Sequence, residues 1–359
     1  MSSPVTVDGS TGEGGGQILR TSLSLAAVLG RPVRIVNIRA GRKPPGLRPQ
    51  HVQAVKAAAA VCNARLEGAK EHSCELLFEP QSSPQPGEYR FDIPTAGAAT
   101  LVLQTVWLPL AHAAAPSRVV VTGGTHVSWS PPFDYLAQVY LPAVTPLGYS
   151  GRLRLVRWGF YPKGGGEIAL EVEPMRPTAQ PTEADLPPWA RPRGELEAVR
   201  ILSAASNVGN QVAARQARQA YNRLVEAGIP AHRLHTRVTN PPSVGPGTCL
   251  FLLAEYAGGV TAGFTGFGRQ GYPAERVADD AVDAFLAHHA TDAPVDPHLA
   301  DQLVLPLALA GRNLAFATSQ VTPHLITNVW AVAQFMGRRF EIVGQEGAPG
   351  HVRCSSSPF

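Results

Sequence analysis

The feature that most constrains this chain is a pattern that occurs three times. The stretch QILRTSLSLAAVLG at 17–30 has apolar residues at helical spacing and stops at glycine, and RPVRIVNIRAG follows as a strand running into a loop. The same order of helix, break and strand returns in AATLVLQTVWLPLAHAAAPSRVVVTGGT at 98–125 and in ADQLVLPLALAGRNLAFATS at 300–319. Each copy then enters a loop and begins a second helix with proline in the first turn, at Pro49, at Pro131 and Pro132, and at Pro323. Proline is preorganised for that position and gives up no hydrogen bond there. Apolar strands follow each second helix: CELLFEP, RLRLVRW and RFEIVGQ. Repetition on this scale predicts an α/β (α+β) protein with three αβ units, at about 1–92, 93–178 and 272–359.

A different composition interrupts the third copy. The stretch PMRPTAQPTEADLPPWARP at 174–192 reads as a Pro-rich linker without regular structure. After it come a strand, a loop, a long helix over 210–227 and two strands in CLFLLAEYAGGVTAGFTGFG. This predicts a small α+β domain at 187–271 inserted into a large domain made of 1–186 and 272–359. Its helix carries Arg215, Arg218 and Arg223, which either face RNA or form a solvated face.

Composition narrows the function classes. With 359 residues, 44% of them hydrophobic, the chain can bury a large core. A net charge of +4 suits a polyanionic partner, and with only four lysines nearly all the positive charge is arginine. Arginine's planar fork suits phosphate, although a GC-rich genome gives the same composition. Cys62, Cys74, Cys249 and Cys354 are too scattered for zinc or redox motifs and read as reduced thiols. No stretch has the length and apolarity of a membrane span, and MSSPVTVDGS lacks the regions of a signal peptide, so the expectation is a soluble cytoplasmic protein.

If the units pack around a common centre, the loops before their second helices converge. These are NIRAGRKPPGLRPQH, with Arg39, Arg42, Lys43 and Arg48, then TGGTHVSWSPPFDY, then ATSQVTPHLITN. Ahead of the first helix lies DGSTGEGGGQILR, whose glycines form either a plain turn or a phosphate cradle of backbone N–H groups. Glu13 in that run can hold Mg2+, and Arg20 one turn on can pair with phosphate. A second run, FYPKGGGEIALEV at 160–172, belongs to the same region or forms a turn of its own. His324 follows a Thr322 cap and Pro323, so its ring lies in a first helical turn, where the dipole keeps the imidazole neutral and nucleophilic. That is a chemically sensible place for covalent catalysis on a nucleotide.

Seven blocks in this order carry a resemblance: DGSTGEGGGQILRTSLSL, IRAGRKPPGLRPQH, TAGAATLVLQTVWLPL, GGT followed by SPP, GFYPKGGGE, HLADQLVLPLALAG and TPHLITN. Together they resemble the RNA 3′-terminal phosphate cyclases over nearly the whole chain, with a looser likeness at 187–271. The resemblance implies a large domain of three units, each with two helices packed on a four-stranded sheet as in the C-terminal domain of a bacterial translation initiation factor, plus a small inserted domain. It implies conversion of an RNA 3′-phosphate to a 2′,3′-cyclic phosphate with ATP and a divalent metal, Mg2+ or Mn2+. By that likeness His324 is the adenylated nucleophile and Glu13 the metal-binding carboxylate. Arg20, Arg39, Arg42 and Gln50 match residues that handle phosphates, and Gln104, Pro131, Asp301 and Gln302 match the nucleotide pocket. His298 stands where some cyclases stack a tyrosine on adenine. The partners implied are ATP and RNA with a 3′-phosphate end, no membrane, and a homodimer left open.

Three rivals remain. A non-enzymatic relative that acts in ribosome assembly would be expected to lack the histidine that stands in TPHLITN. An enolpyruvate transferase shares a repeated αβ architecture without needing a histidine nucleophile. An RNA ligase would ordinarily use a lysine, and none of Lys43, Lys56, Lys70 and Lys163 is an obvious candidate.

Overall fold

A computed structural model describes residues 3–177, 180, 182–209 and 211–356. It is a mixed α/β structure with helices packed on several sheets. The first stretch contains β1 (Val5–Asp8), α1 (Gly16–Leu29), β2 (Val33–Val36), α2 (Pro49–Cys62), β3 (Arg65–Glu67) and β4 (Leu76–Glu79). Its sheet has the order β1-β2-β4-β3, with β1 and β2 parallel and the remaining pairs antiparallel. The second contains β5 (Glu88–Asp92), α3 (Ala99–Ala111), β6 (Ser117–Gly123), a helical segment from Phe133, β7 (Gly151–Arg157) and β8 (Gly166–Val172). Its sheet, β5-β6-β8-β7, repeats both the order and the strand directions.

Four further strands and two helices follow before the pattern resumes: β9 (Leu196–Ser206), α6 (Val212–Glu226), β10 (Leu234–Thr239), β11 (Gly247–Tyr256), β12 (Val260–Phe267) and α7 (Ala274–His289). Last come α8 (Pro297–Ala310), β13 (Leu314–Thr318), α9 (Pro323–Ala333), β14 (Arg338–Val343) and β15 (Gly350–Ser356). Here the sheet is β13-β15-β14, and a single parallel bridge from Val295 to Thr318 occupies the place of a first strand. Gly30 and Gly311 end α1 and α8 in the left-handed conformation, at φ 62° and 66°, which glycine adopts without a Cβ clash.

The second helix of each stretch packs on the first helix of the next. Thus α2 meets α3, the helical segment of the second stretch meets α8, and α9 returns to α1. This closes a ring of helices under one continuous core that includes Leu19, Leu23, Trp107, Leu303 and Leu325. The second stretch departs locally from expectation. Pro132 is the cap and Phe133 the first helical residue of α4 (Phe133–Tyr135), and the helix widens to a π turn over Leu136–Tyr140 before α5 (Leu141–Val144). Pro142 has no N–H to give the Gln138 carbonyl, which instead accepts from Thr261 Oγ1 at 3.3 Å.

The interrupting stretch has its own sheet, β10-β9-β11-β12, and its own core. The β10 strand lacks a signal in the sequence because it is an edge strand exposed along most of its length. The α7 helix packs here too, contributing Val277, Ala281, Val282 and Phe285 to that core. Asn210, the expected start of the long helix, lies outside the described residues, as do 178, 179 and 181 of the linker. Two of the three arginines on α6 lie on a face at least partly open to solvent and pair there with carboxylates. Arg215 makes a bidentate pair with Glu275 (2.8 and 2.7 Å), and Arg223 pairs with Asp279 and Asp283 (3.2 and 2.8 Å), tying α6 to α7. The linker carries 3-10 turns at Glu183–Asp185 and Pro188–Ala190, and buries Trp189, whose Nε1 donates to the Ala143 carbonyl at 2.8 Å.

The joint most exposed to test is Asp296. Its buried Oδ1 caps α8 by accepting from the N–H groups of His298 and Leu299, both at 2.9 Å, and accepts from Tyr135 Oη at 2.8 Å. Asp296→Ala should therefore destabilise the protein by about 2–4 kcal/mol, a lost cap plus an orphaned buried hydroxyl. Urea unfolding of the two proteins measures this, and a change under about 0.5 kcal/mol would remove Asp296 from the joint.

Candidate active site

His324 sits where the ring of helices closes. Thr322 Oγ1 accepts from Leu325 N at 3.1 Å and Pro323 opens the helix, so His324 occupies the second helical position, exposed to solvent. Its Nδ1 lies 2.6 Å from Gln17 Oε1. The amide's orientation follows from its other end, since Gln17 Nε2 lies between two acceptors, Asp301 Oδ2 at 3.0 Å and the His324 carbonyl at 3.1 Å. Gln17 Oε1 is thus the acceptor, Nδ1 carries the hydrogen, and Nε2 keeps its lone pair free.

Glu13 approaches the same ring from the glycine run. Its Oε2 is 2.8 Å from His324 Nδ1, and Oε1 accepts from Arg42 at 2.6 Å. Oε2 is buried and meets no hydrogen-bond donor in good geometry, the kind of orphaned acceptor that a cation satisfies. Among the described residues no cluster of three or more His, Cys, Asp or Glu could hold a metal, so Glu13 would be a lone protein ligand. The residues present fit a cation whose remaining ligands come from substrate and water.

Charge shapes the rest of the site. Burial lowers the pKa of His324, Arg20, His298 and Arg42 lower it further, and Glu13 opposes them. Burial pushes Arg20 down to about 10 while Asp301 favours its charge, and the guanidinium makes no hydrogen bond among the described residues. Burial and the neighbouring Asp296 push the Asp301 carboxyl up to about 8, against the pull of Arg20. Arg39 adopts a left-handed backbone (φ 54°) and braces its own loop, donating to the Pro44 and Gly46 carbonyls at 3.1 and 2.9 Å.

The remaining expected residues form a second group. Gln104 Nε2 donates to Gln302 Oε1 at 2.7 Å, joining α3 to α8, and Gln302 Nε2 donates to the His298 carbonyl. The His298 ring is exposed and meets Tyr135 edge-on at 6.4 Å. Pro131 lies half-buried four residues before Tyr135. Gln50 is turned to structural use, accepting from Ala98 N at 3.0 Å at the start of α3. A cavity of about 590 Å³ over β13 and β15, lined by Asn313, Arg339 and Arg353, contains none of these residues.

A match to the family model described as RNA 3′-terminal phosphate cyclase runs from residue 11 to 342. The chain belongs to that family of enzymes. It is 45% identical over 358 residues to the RNA 3′-terminal phosphate cyclase of Methylococcus capsulatus, covering 98% of this chain and 96% of that one. Proteins of the same name from Gloeothece citriformis and Pyrococcus furiosus are 43% and 42% identical over 335 and 349 residues. Those matches cover 92% and 97% of this chain and 93% and 98% of theirs. No helix among the described residues is long and apolar enough to cross a membrane.

Sequence reasoning missed three residues of this cyclase-family site. Gln17 orients His324; Asn328 accepts from Thr21 Oγ1 at 2.6 Å and donates to the Asp301 carbonyl at 2.7 Å; and His51 accepts from Arg48 N at 3.1 Å. Burial and the cations Arg20, Arg39 and Arg48 push His51 down to about 3. A signal for the first was present: Gln17, Thr21 and Ser24 form a polar stripe at helical spacing on a buried helix face, and such groups need partners from a neighbour.

The electrostatics give a direct test by NMR titration of the His324 ring. Its midpoint should lie below the usual 6.5, and Arg42→Ala should raise it, because the change removes one cation and leaves Glu13 unpaired. A midpoint at or above 6.5 in the parent protein would overturn this account.

Proposed function

We propose that this protein carries out ATP-dependent conversion of an RNA 3′-terminal phosphate to a 2′,3′-cyclic phosphate, with His324 as the adenylated nucleophile. The observation that carries the reading is the half-exposed His324 ring, its pKa lowered by burial and its Nδ1 held by Gln17, with no hydrogen-bond partner on Nε2 among the described residues. In the first step Nε2 attacks the α-phosphorus of ATP, the bond to the β-phosphate oxygen breaks and pyrophosphate leaves. The ring then carries phosphorus on Nε2 and hydrogen on Nδ1, a cation that the Glu13 carboxylate 2.8 Å away stabilises. An oxygen of the RNA 3′-phosphate next takes the AMP and releases neutral imidazole. The adjacent 2′-hydroxyl finally attacks the activated 3′-phosphorus, loses its proton and expels AMP.

The supporting residues fall into matching roles. Arg20, whose guanidinium makes no hydrogen bond among the described residues, and the half-exposed Arg42 offer donors to phosphates, and Arg39 and Gln50 are assigned the same role. Gln104, Pro131, His298, Asp301 and Gln302 would form the nucleotide pocket. Glu13 would hold a divalent cation, Mg2+ or Mn2+, which when bound supplies charge neutralisation for the triphosphate. The scaffold we infer is a large domain of three repeated αβ units, like an initiation factor C-terminal domain, with a small domain inserted. The common sheet order supports the repeat, and the α7 packing supports ending the insertion after His289 rather than at 271.

Incubation with Mg2+ and ATP labelled at the α- or the γ-phosphate tests the reading: only the α-label should remain attached, acid-labile and alkali-stable. His324→Ala should abolish it with an unchanged far-UV spectrum. An RNA with a 3′-phosphate on a terminal 2′-deoxyribose should stop as the adenylated end, whereas retention of γ-label would refute the chemistry. Arg42→Ala should slow transfer to RNA by about 1.5–3 kcal/mol in kcat/KM, the value of a charged hydrogen bond.

A further inference from the structure

The three most exposed large hydrophobic side chains among the described residues are Trp129 at 98%, Tyr161 at 75% and Val244 at 61%. They lie 32 to 115 positions apart in sequence, yet on adjoining loops. His126 forms a parallel bridge with Phe160, which places Trp129 three residues beyond one partner and Tyr161 one residue beyond the other. Trp158 bridges Ser243 and stacks on the His126 ring at 4.0 Å, so all three loops are laced over one rigid base. On the Tyr161 loop, Lys163 is exposed, lies against Gly245 beside Val244, and has no ion-pair partner among the described residues.

This surface is continuous with the candidate site. A Cβ on Gly164 would lie 2.8 Å from the Thr95 carbonyl, and a Cβ on Gly97 2.8 Å from Gln50 Cβ. Val127, two residues before Trp129, packs on Ala98 and Leu101 at the start of α3, the helix that carries Gln104. Trp129 holds a left-handed backbone at φ 65°, costly for a bulky side chain, and Ser130 Oγ donates to the Val127 carbonyl at 2.9 Å to close the turn. The indole is thus fixed in water rather than folded back onto apolar neighbours.

We infer that Trp129 and Tyr161, with Lys163 on the Tyr161 loop, form a stacking surface for the nucleotides immediately upstream of the RNA 3′-phosphate. The inference rests on the function proposed above. Isolated rings held on stiff loops beside a free cation suit single-stranded nucleic acid, because every base offers a face to stack and every nucleotide a phosphate to pair. A protein partner would instead call for apolar surface without a free cation, and the exposed Lys163 on the Tyr161 loop favours a phosphate-bearing strand. The selectivity is for strand length rather than sequence.

The test compares a 3′-phosphorylated decamer with a nucleoside 3′-phosphate as substrates of the parent protein, Trp129→Ala, Tyr161→Ala, the double variant and Trp129→Phe. The double variant should raise KM for the decamer about 10-fold or more while leaving the nucleoside reaction and the RNA-free attachment of α-labelled AMP unchanged. Trp129→Phe, which keeps a ring, should restore most of the affinity. Unchanged KM for the decamer, or equal loss on both substrates, would overturn the inference, as would a loss confined to self-association in sedimentation. If the parent protein turned over neither substrate the proposed function would fall, and quenching of tryptophan emission by an unphosphorylated decamer would still decide the surface: its absence in the parent overturns it.

Discussion

The structure depends on how α9 seats on α1. Buried polar bonds fix that contact and its neighbours: Thr21 Oγ1 donates across it to Asn328 Oδ1, Asn328 donates onward to the Asp301 carbonyl on α8, and Ser24 ties α1 to α3 through the Thr105 carbonyl. An apolar interface tolerates sliding, but a shift by one residue here would bury unpaired amides and hydroxyls at a cost of about 1–3 kcal/mol each. The register is therefore narrow, and in that register Gln17 meets His324 across 307 residues of chain. The geometry around His324 and the helix packing are set by the same bonds.

The electrostatic design pulls in the opposite direction. Arg20, Arg39, Arg42 and Arg48 crowd one region, with Glu13 and a carboxyl pushed up to about 8, Asp301, as the nearby acids. Such crowding opposes folding, and it adds to burial in lowering the pKa of His51 and His324. In the proposed reaction substrate phosphates would relieve the repulsion, so the charges that oppose folding would favour binding.

The sequence made the repeated elements legible because each copy has glycine stops and proline starts around strongly apolar helices. His324 was legible for a local reason, its place after Thr322 and Pro323. Other features were not, because they depend on distant residues. Gln17 was passed over since its partners lie at 301 and 324, and Gln50 carries the Ala98 contact that its loop does not announce. The β10 edge strand lacks alternation, and the apolar face of α7 does not announce which core it joins. The arginines of α6 found their carboxylates on that same helix.

The three joints of the helix ring are geometrically alike. Gln50 reaches the start of α3, Tyr135 the start of α8 and His324 the start of α1, each from the first turn of a second helix. The first joins consecutive stretches 48 positions apart, and the second reaches 161 positions across the interrupting stretch. The third joins the beginning to the end. During synthesis the glycine run, Glu13 and Gln17 emerge first and wait for His324, which comes among the last segments, so a nascent or truncated chain can assemble most of the scaffold but cannot bring the ring nitrogen to its acceptor. The hydrogen bond that orients the His324 ring is thereby withheld until α9 has docked on α1.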